Sequence, residues 1–456
     1  MKLKLLLILS LFSSITFAQK VQFNIKYSQP LAVFVFIQQL SENYPDNVFK
    51  KSFQESKYNT AHYKAIIAQF EQLPIDYSYS FAGYPYASKI PMQTRDMLKK
   101  HMITATDINE FKRLSMGLMP NKVLITLTQS MEAFRPIYEE LIYAPNKLKF
   151  EKQLQEMDAY ARAQNITGYF ETGLKFYNAN WDNSIPFEIA FYPLPDANWF
   201  SGQAFYNNFV CAVQTDLKDY KDLFSVMLHE IYHIVYDEQS LEVKKMIYQN
   251  FTANKSASSN YAYLILNEVL ATAMGNGYVY EKLAGTPDKN DWYHHTYING
   301  LARKIYPLIK AYVSENKAID KAFVDQYIKI YEDNFPGWIN ETENIMTYRY
   351  VISGNLNDFN TINRMFPYCS NSEYETELNA GSIEKMQQTP LTKIIIVSQD
   401  NTRKLALIKD QFKALKNWAY QPKKEFVYKT FLADKSQLII INQYRSSTEA
   451  LLKTVK

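Results

Sequence analysis

The chain has 456 residues, with 50 Lys+Arg against 46 Asp+Glu and a formal net charge of +4. At about 150 residues per domain that length allows two or three domains, and so even a charge balance excludes a strong electrostatic pull toward nucleic acid or anionic membrane. Two cysteines, Cys211 and Cys369, exclude a disulfide scaffold; pairing between them and two free thiols remain equal alternatives.

Residues 1–18, MKLKLLLILSLFSSITFA, carry Lys2 and Lys4, then an apolar run, then small residues ending at Ala18. This is the pattern of a signal peptide cleaved after Ala18. The run is shorter than the roughly 20 residues that span a bilayer, and no later stretch is apolar enough to cross one. An exported, periplasmic or secreted protein with no stable membrane anchor is expected. Loss of the two lysines would leave a net charge near +2.

From 19 to 120 the pattern is mostly helical and aromatic. AHYKAIIAQFEQL (61–73) and TDINEFKRLSMGLM (106–119) have apolar residues at three- and four-residue spacings. Between them SYSFAGYPYASKIP reads as a loop punctuated by Gly83 and prolines. This region carries no chemical motif and reads as a helical cap in preference to a propeptide-like segment.

Residues 121–375 form a second region. Two helices are predicted on either side of Pro145-Asn146. FEIAFYPLP (187–195) and QAFYNNFVCAVQT (203–215) read as strands. A helix carrying the 227–235 stretch follows, then helices near 260–283, 290–314 and 318–333 and an irregular stretch near 335–345. Residues 390–456 read as a small α/β domain in the order β-α-β-β-α. Its signs are TKIIIVS, Asp400 as the cap of the next helix, EFVYKTFL, SQLIIIN, and a capping box at Ser446-Ser-Thr-Glu449. The fold class predicted is α+β, mainly helical, with a small antiparallel or mixed sheet in the middle region.

Chemistry is concentrated in Met227-Leu-His-Glu-Ile-Tyr-His-Ile-Val235. His229 and His233 are four apart, so on a helix both imidazoles project from one face and reach one metal ion. Glu230 is rotated around the axis, placed to hold a carboxylate near the ion without ligating it. This HExxH spacing is that of zinc hydrolases. The competing reading is a core helix whose histidines merely satisfy local hydrogen bonds.

Catalytic zinc takes three protein ligands and keeps one position open. Asp288 in Gly285-Thr-Pro-Asp288 lies in an interhelix loop and reads as a decoy. Glu268 in LILNEVLATAMG (264–275) is the better third ligand: it sits in a predicted helix 35 positions after His233. Ala271, Thr272 and Gly275 give that helix a small-residue face for close packing against the motif helix.

His229-Glu230-x-x-His233 followed by Asn267-Glu268-x-x-Ala271 resembles the gluzincin clan of zinc peptidases, especially its branch with an Asn-Glu-x-x-Ala segment. The similarity spans roughly 185–285. It implies a zincin-like catalytic domain, Zn2+ held by His229, His233 and Glu268, Glu230 as general base, and a polypeptide substrate pairing with strand 203–215 as the site's edge strand. No Gly-x-Met-Glu-Asn segment precedes the motif, so an endopeptidase is expected rather than an aminopeptidase. Thr272 stands where thermolysin-like members place an aspartate behind the metal ligands. The resemblance also implies a downstream Tyr or His as oxyanion donor, for which Tyr348, Tyr350, His294 and His295 are candidates. The alternative function is a secreted zinc-binding scaffold, a catalytically inactive relative; a non-peptidase hydrolase is a third option.

Overall fold

A computed structural model describes residues 20–195 and 200–454; the expected signal segment 1–18 lies outside the described residues. No helix among them is long and apolar enough to cross a membrane. The α+β class holds: many helices surround two principal sheets and one short hairpin.

The strands in chain order are β1 (Phe23–Tyr27), β2 (Ser78–Tyr79), β3 (Met92–Gln93), β4 (Phe187–Leu194), β5 (Ser201–Phe205), β6 (Asn208–Gln214), β7 (Tyr348–Ser353), β8 (Asn371–Glu375), β9 (Thr392–Val397), β10 (Phe426–Phe431) and β11 (Gln437–Asn442). The first sheet has the order β1-β4-β6-β5, and only β5 runs antiparallel to its neighbour. β4 is apolar and buried along almost its whole length, as a strand covered on both faces must be.

Two expectations are corrected in this sheet. The segment 19–120 is not wholly a helical cap: β1 pairs in parallel with β4, Phe23 opposite Phe187. Its period-two residues Phe23 and Tyr27 insert rings against Phe187 (5.4 Å between centroids) and Tyr143 (4.4 Å, stacked). Nor is 203–215 one edge strand. It folds back at Tyr206-Asn207, with Tyr206 at φ +53°, so β6 is interior and, of these two strands, β5 is the one at a sheet edge.

The second sheet, order β10-β11-β9-β7-β8, is parallel except for β10. The expected β-α-β-β-α unit is present, yet the sheet does not begin at 390. It recruits β7 and β8 from the region assigned to the middle domain, because the six-residue buried run Tyr348–Ser353 is a central parallel strand that needs neighbours on both sides. Asp400 makes no side-chain cap; it adopts φ +53° and binds Arg403 instead. The closing helix is capped by Ser447, whose Oγ accepts from Ala450 N (3.2 Å), while Ser446 Oγ donates to Glu425 (2.7 Å). The chain also runs straight through Pro145. Asn121–Tyr138 continues by a π-turn, Glu139–Tyr143, into Ala144–Ala163. Pro136 inside the first helix removes one hydrogen-bond donor, and a widened turn is a standard way to re-register after such a loss. Cys211 and Cys369 are free thiols.

Candidate metal centre

The motif helix, Lys221–Asp237, is buried on almost every side, so its neighbours fix it closely. Two glycines set how closely. A Cβ on Gly173, in helix Ile166–Tyr177, would sit 2.2 Å from a ring carbon of Tyr232. A Cβ on Gly275 would sit 2.6 Å from both Cα and Cβ of His229. Gly275 belongs to a π-helical stretch, Thr272–Val279, that continues the helix Leu266–Ala271 bearing Glu268. The small-residue face expected at 271–275 is thus the surface on which the two helices touch, and Ser225 Oγ pins it by donating to the Gly275 carbonyl (3.1 Å).

That contact brings three ligand-type atoms together. His229 Nε2 and His233 Nε2 are 3.2 Å apart, and Glu268 Oε2 lies 3.9 Å from the first and 3.6 Å from the second. Among the described residues this is the group of His, Cys, Asp and Glu side chains arranged to hold a metal ion. A point equidistant from the three atoms lies about 2.1 Å from each, which matches the usual zinc–imidazole and zinc–carboxylate distances. Two imidazole nitrogens and one carboxylate form a borderline-soft set that suits zinc better than calcium or magnesium.

The outer contacts aim both imidazoles. His233 Nδ1 is 3.1 Å from Asn267 Oδ1; as an N–H donor there, it leaves Nε2 with its lone pair toward Glu268. His229 Nδ1 and Asn276 Oδ1 are both buried without a hydrogen-bond partner of ordinary geometry, although Asn276 and the Ala271 backbone bear on His229 electrostatically. Glu268 Oε2 and the Tyr348 hydroxyl are likewise buried and unpartnered. Buried polar atoms without partners are rare, and a cation at the centre of the triangle would satisfy the Glu268 oxygen.

Burial, reinforced by the neighbouring His233, drives the His229 pKa down to about 3, so it is neutral and ready to ligate at pH 7. Burial also opposes charge on His233, but Glu268 and Glu230 outweigh it and raise its pKa. For Glu268 burial is again the largest effect and favours the neutral acid; His233, His229 and the Tyr293 hydroxyl together reverse it, and the pKa falls. Glu230 is pushed up to about 7, chiefly by burial; His233 and the Ala204 backbone on β5 counter this in part.

Of the four residues named from sequence, His229, His233 and Glu268 converge on one point, and Glu230 lies near enough to act electrostatically on His233. The rest divide. Tyr348 lines a cavity beside Glu268, and His294 and His295 act on Glu268 electrostatically, with burial lowering His295 to about 4. Tyr350 faces Glu373 and Glu375 instead and is not part of the centre. Asp288 accepts from Asn290 in a local turn, as a decoy should. Sequence reasoning missed Tyr293, whose ring stacks on His229 (5.9 Å, 25°) and whose hydroxyl interacts with Glu268. One tyrosine among 36 gave no signal, and Asn276 became visible only through the π-helical register. Compared with family models, curated proteins and solved structures, the chain finds no match.

Proposed function

We propose that the chain is an exported zinc-dependent metallopeptidase of gluzincin type, an endopeptidase acting on extended polypeptide. The observation that carries this reading is the convergence of His229, His233 and Glu268 on one point, with Glu230 on the same helix beside it. Zinc held by those three side chains would act as a Lewis acid, acidifying water and polarising a carbonyl.

Glu230 has the properties of the proton carrier. A base poised near the working pH both accepts and returns a proton efficiently, and burial places this carboxyl near 7. It takes the proton from the attacking water and delivers it to the leaving amine nitrogen. Tyr293 is the donor assigned to the developing oxyanion, since its hydroxyl already reaches the Glu268 carboxylate. The free edge of β5, which packs on the motif helix, offers main-chain donors and acceptors to an extended peptide.

The test is zinc-loaded Glu230→Gln. It should retain about one zinc per chain and lose peptide hydrolysis by at least 10²-fold, within the usual contribution of a general base. Hydrolysis at the wild-type rate would refute the proposal. Retained zinc with no activity in the wild type against a broad peptide library would favour the scaffold alternative.

A further inference from the structure

A cavity of about 310 Å³ opens beside the metal centre, with Glu268 and Asn267 in its wall. Its other walls come from distant parts of the chain. Tyr86, Lys89 and Ile90 belong to the loop between β2 and β3, Tyr236 and Tyr263 to the helices around the centre, and Tyr348 to the start of β7.

The loop that roofs this cavity is tied down at several points. Tyr263 donates to the Tyr86 carbonyl (3.1 Å), Tyr86 donates to Glu373 (3.3 Å), and Ile90 N donates to Asp237 Oδ1 (2.5 Å). Lys244, almost fully buried, donates to the Ser88 carbonyl and to the Tyr236 carbonyl. The walls are preformed, so a ligand entering them orders little.

Their chemistry is selective. Lys89, the charged side chain in the loop wall, is already neutralised by Asp237 (2.6 Å) and Glu238 (2.8 Å). A substrate carboxylate there would find its counter-charge taken, and a substrate ammonium would sit beside Lys89. Four phenol rings, Tyr86, Tyr236, Tyr263 and Tyr348, supply flat apolar area instead. Tyr348 is 2% exposed and its hydroxyl is closed off from the cavity, with Ser370 beside it, so this residue offers ring area and no free polar atom.

We propose that this cavity is the substrate-recognition subsite and takes an uncharged aromatic side chain, its ring against the phenol walls. As a statement about substrate it rests on the peptidase reading, but as a statement about binding it is separately measurable.

Two assays test it. In the first, zinc-loaded Glu230→Gln is titrated with N-acetyl-tyrosine amide and with the phenylalanine, alanine, aspartate and lysine analogues. Tyrosine and phenylalanine amides should both bind at least tenfold more tightly than the alanine, aspartate or lysine compounds. Adding Ser370→Trp, which projects a ring into the same cavity, should cut the tyrosine-to-alanine ratio below threefold. Should that variant fail to fold, the ranking in Glu230→Gln alone still decides. Equal affinities, or a preference for a charged analogue, would overturn the inference. In the second assay, wild-type kcat/KM is read on a peptide library. Cleavage without aromatic preference at any position would overturn the inference and leave the peptidase standing. Tyrosine-amide binding with no peptide cleaved would sink the peptidase and keep the subsite.

Discussion

Gly275→Ala is the sharpest probe of how the centre is held. The added methyl would lie 2.6 Å from His229 Cα and Cβ and 2.7 Å from its backbone nitrogen, where about 3.5–4.0 Å is the comfortable carbon–carbon separation. Most of those atoms are backbone and cannot swing away, so the two helices must part by roughly 1 Å. Overpacking of this kind costs about 1–3 kcal/mol, and a backbone clash belongs at the upper end. The same shift would carry His229 away from Glu268, stretching a 3.9 Å edge of the triangle beyond what one zinc ion bridges. Zinc affinity should fall about 10- to 100-fold, as it does when ligand orientation is lost in other zinc sites. Gly173→Ala is the control: its methyl would meet the Tyr232 ring at 2.2 Å, a side chain near the motif but outside the ligand triangle. That variant should lose stability in urea titration yet keep zinc affinity within about threefold in a chelator-competition assay, well short of a lost ligand contact. If Gly275→Ala binds zinc as tightly as wild type, the close helix contact does not position His229 and the account of the site is wrong.

Three further outcomes follow from charge. Glu268→Gln removes the anionic ligand and should bring zinc content well below one per chain after dialysis, measured by atomic emission; full retention would remove Glu268 from the ligand set. Zinc binding must displace a proton from His233, whose pKa is raised above its usual 6.5 by Glu268 and Glu230 against the opposing effect of burial. Affinity should therefore fall about tenfold per pH unit as pH drops below that raised pKa, and a pH-independent affinity between 5 and 8 would contradict the assignment. Burial lowers Lys244 from 10.5 to about 8. Between pH 8 and 10.5 the unfolded chain then binds the extra proton, so stability gains a contribution that rises with pH across that window. Lys244→Met should abolish this rise in urea midpoints, and an unchanged profile would mean that the buried lysine is not the group responsible.

The candidate ligands are readable in the sequence because their geometry is local. His229 and His233 need only one helical turn, and Glu268 betrays itself as a carboxylate inside an otherwise apolar helix with Ala271 and Gly275 after it. The walls of the site were not readable, since each depends on tertiary placement. Tyr86 and Lys89 lie in a loop that looked like mere punctuation between helices, and Lys89 acquires its partners Asp237 and Glu238 only across about 150 residues of chain. Tyr348 is legible as a possible donor, but the strand it begins, Tyr-Arg-Tyr-Val-Ile-Ser, is not. All six residues are buried, Arg349 among them, so the stretch lacks the apolar–polar alternation that marks a half-buried strand. β1 escaped for a related reason: its partner β4 lies more than 150 residues away, and nothing local announces a parallel pairing.

The electrostatics of the centre explain why its outer contacts are amides. Two neutral imidazoles and one carboxylate leave a divalent cation with a net charge of about +1. Behind those ligands stand Asn267, Asn276 and Thr272, none of which carries charge. Thr272, four residues after Glu268, adds no charge there, so a bound cation's Lewis acidity would be less damped than with a carboxylate at that position. The same residual positive charge acts on Glu230. Burial, aided by Glu268 and opposed by His233 and the Ala204 backbone, holds that carboxyl at about 7, so about half of it is protonated at neutral pH. An adjacent cation favours the ionised form, drawing the carboxylate below neutrality in the loaded state. Metal binding at His229, His233 and Glu268 would thus raise the ionised fraction of Glu230 at neutral pH, and the acid limb of the activity profile should lie below pH 7.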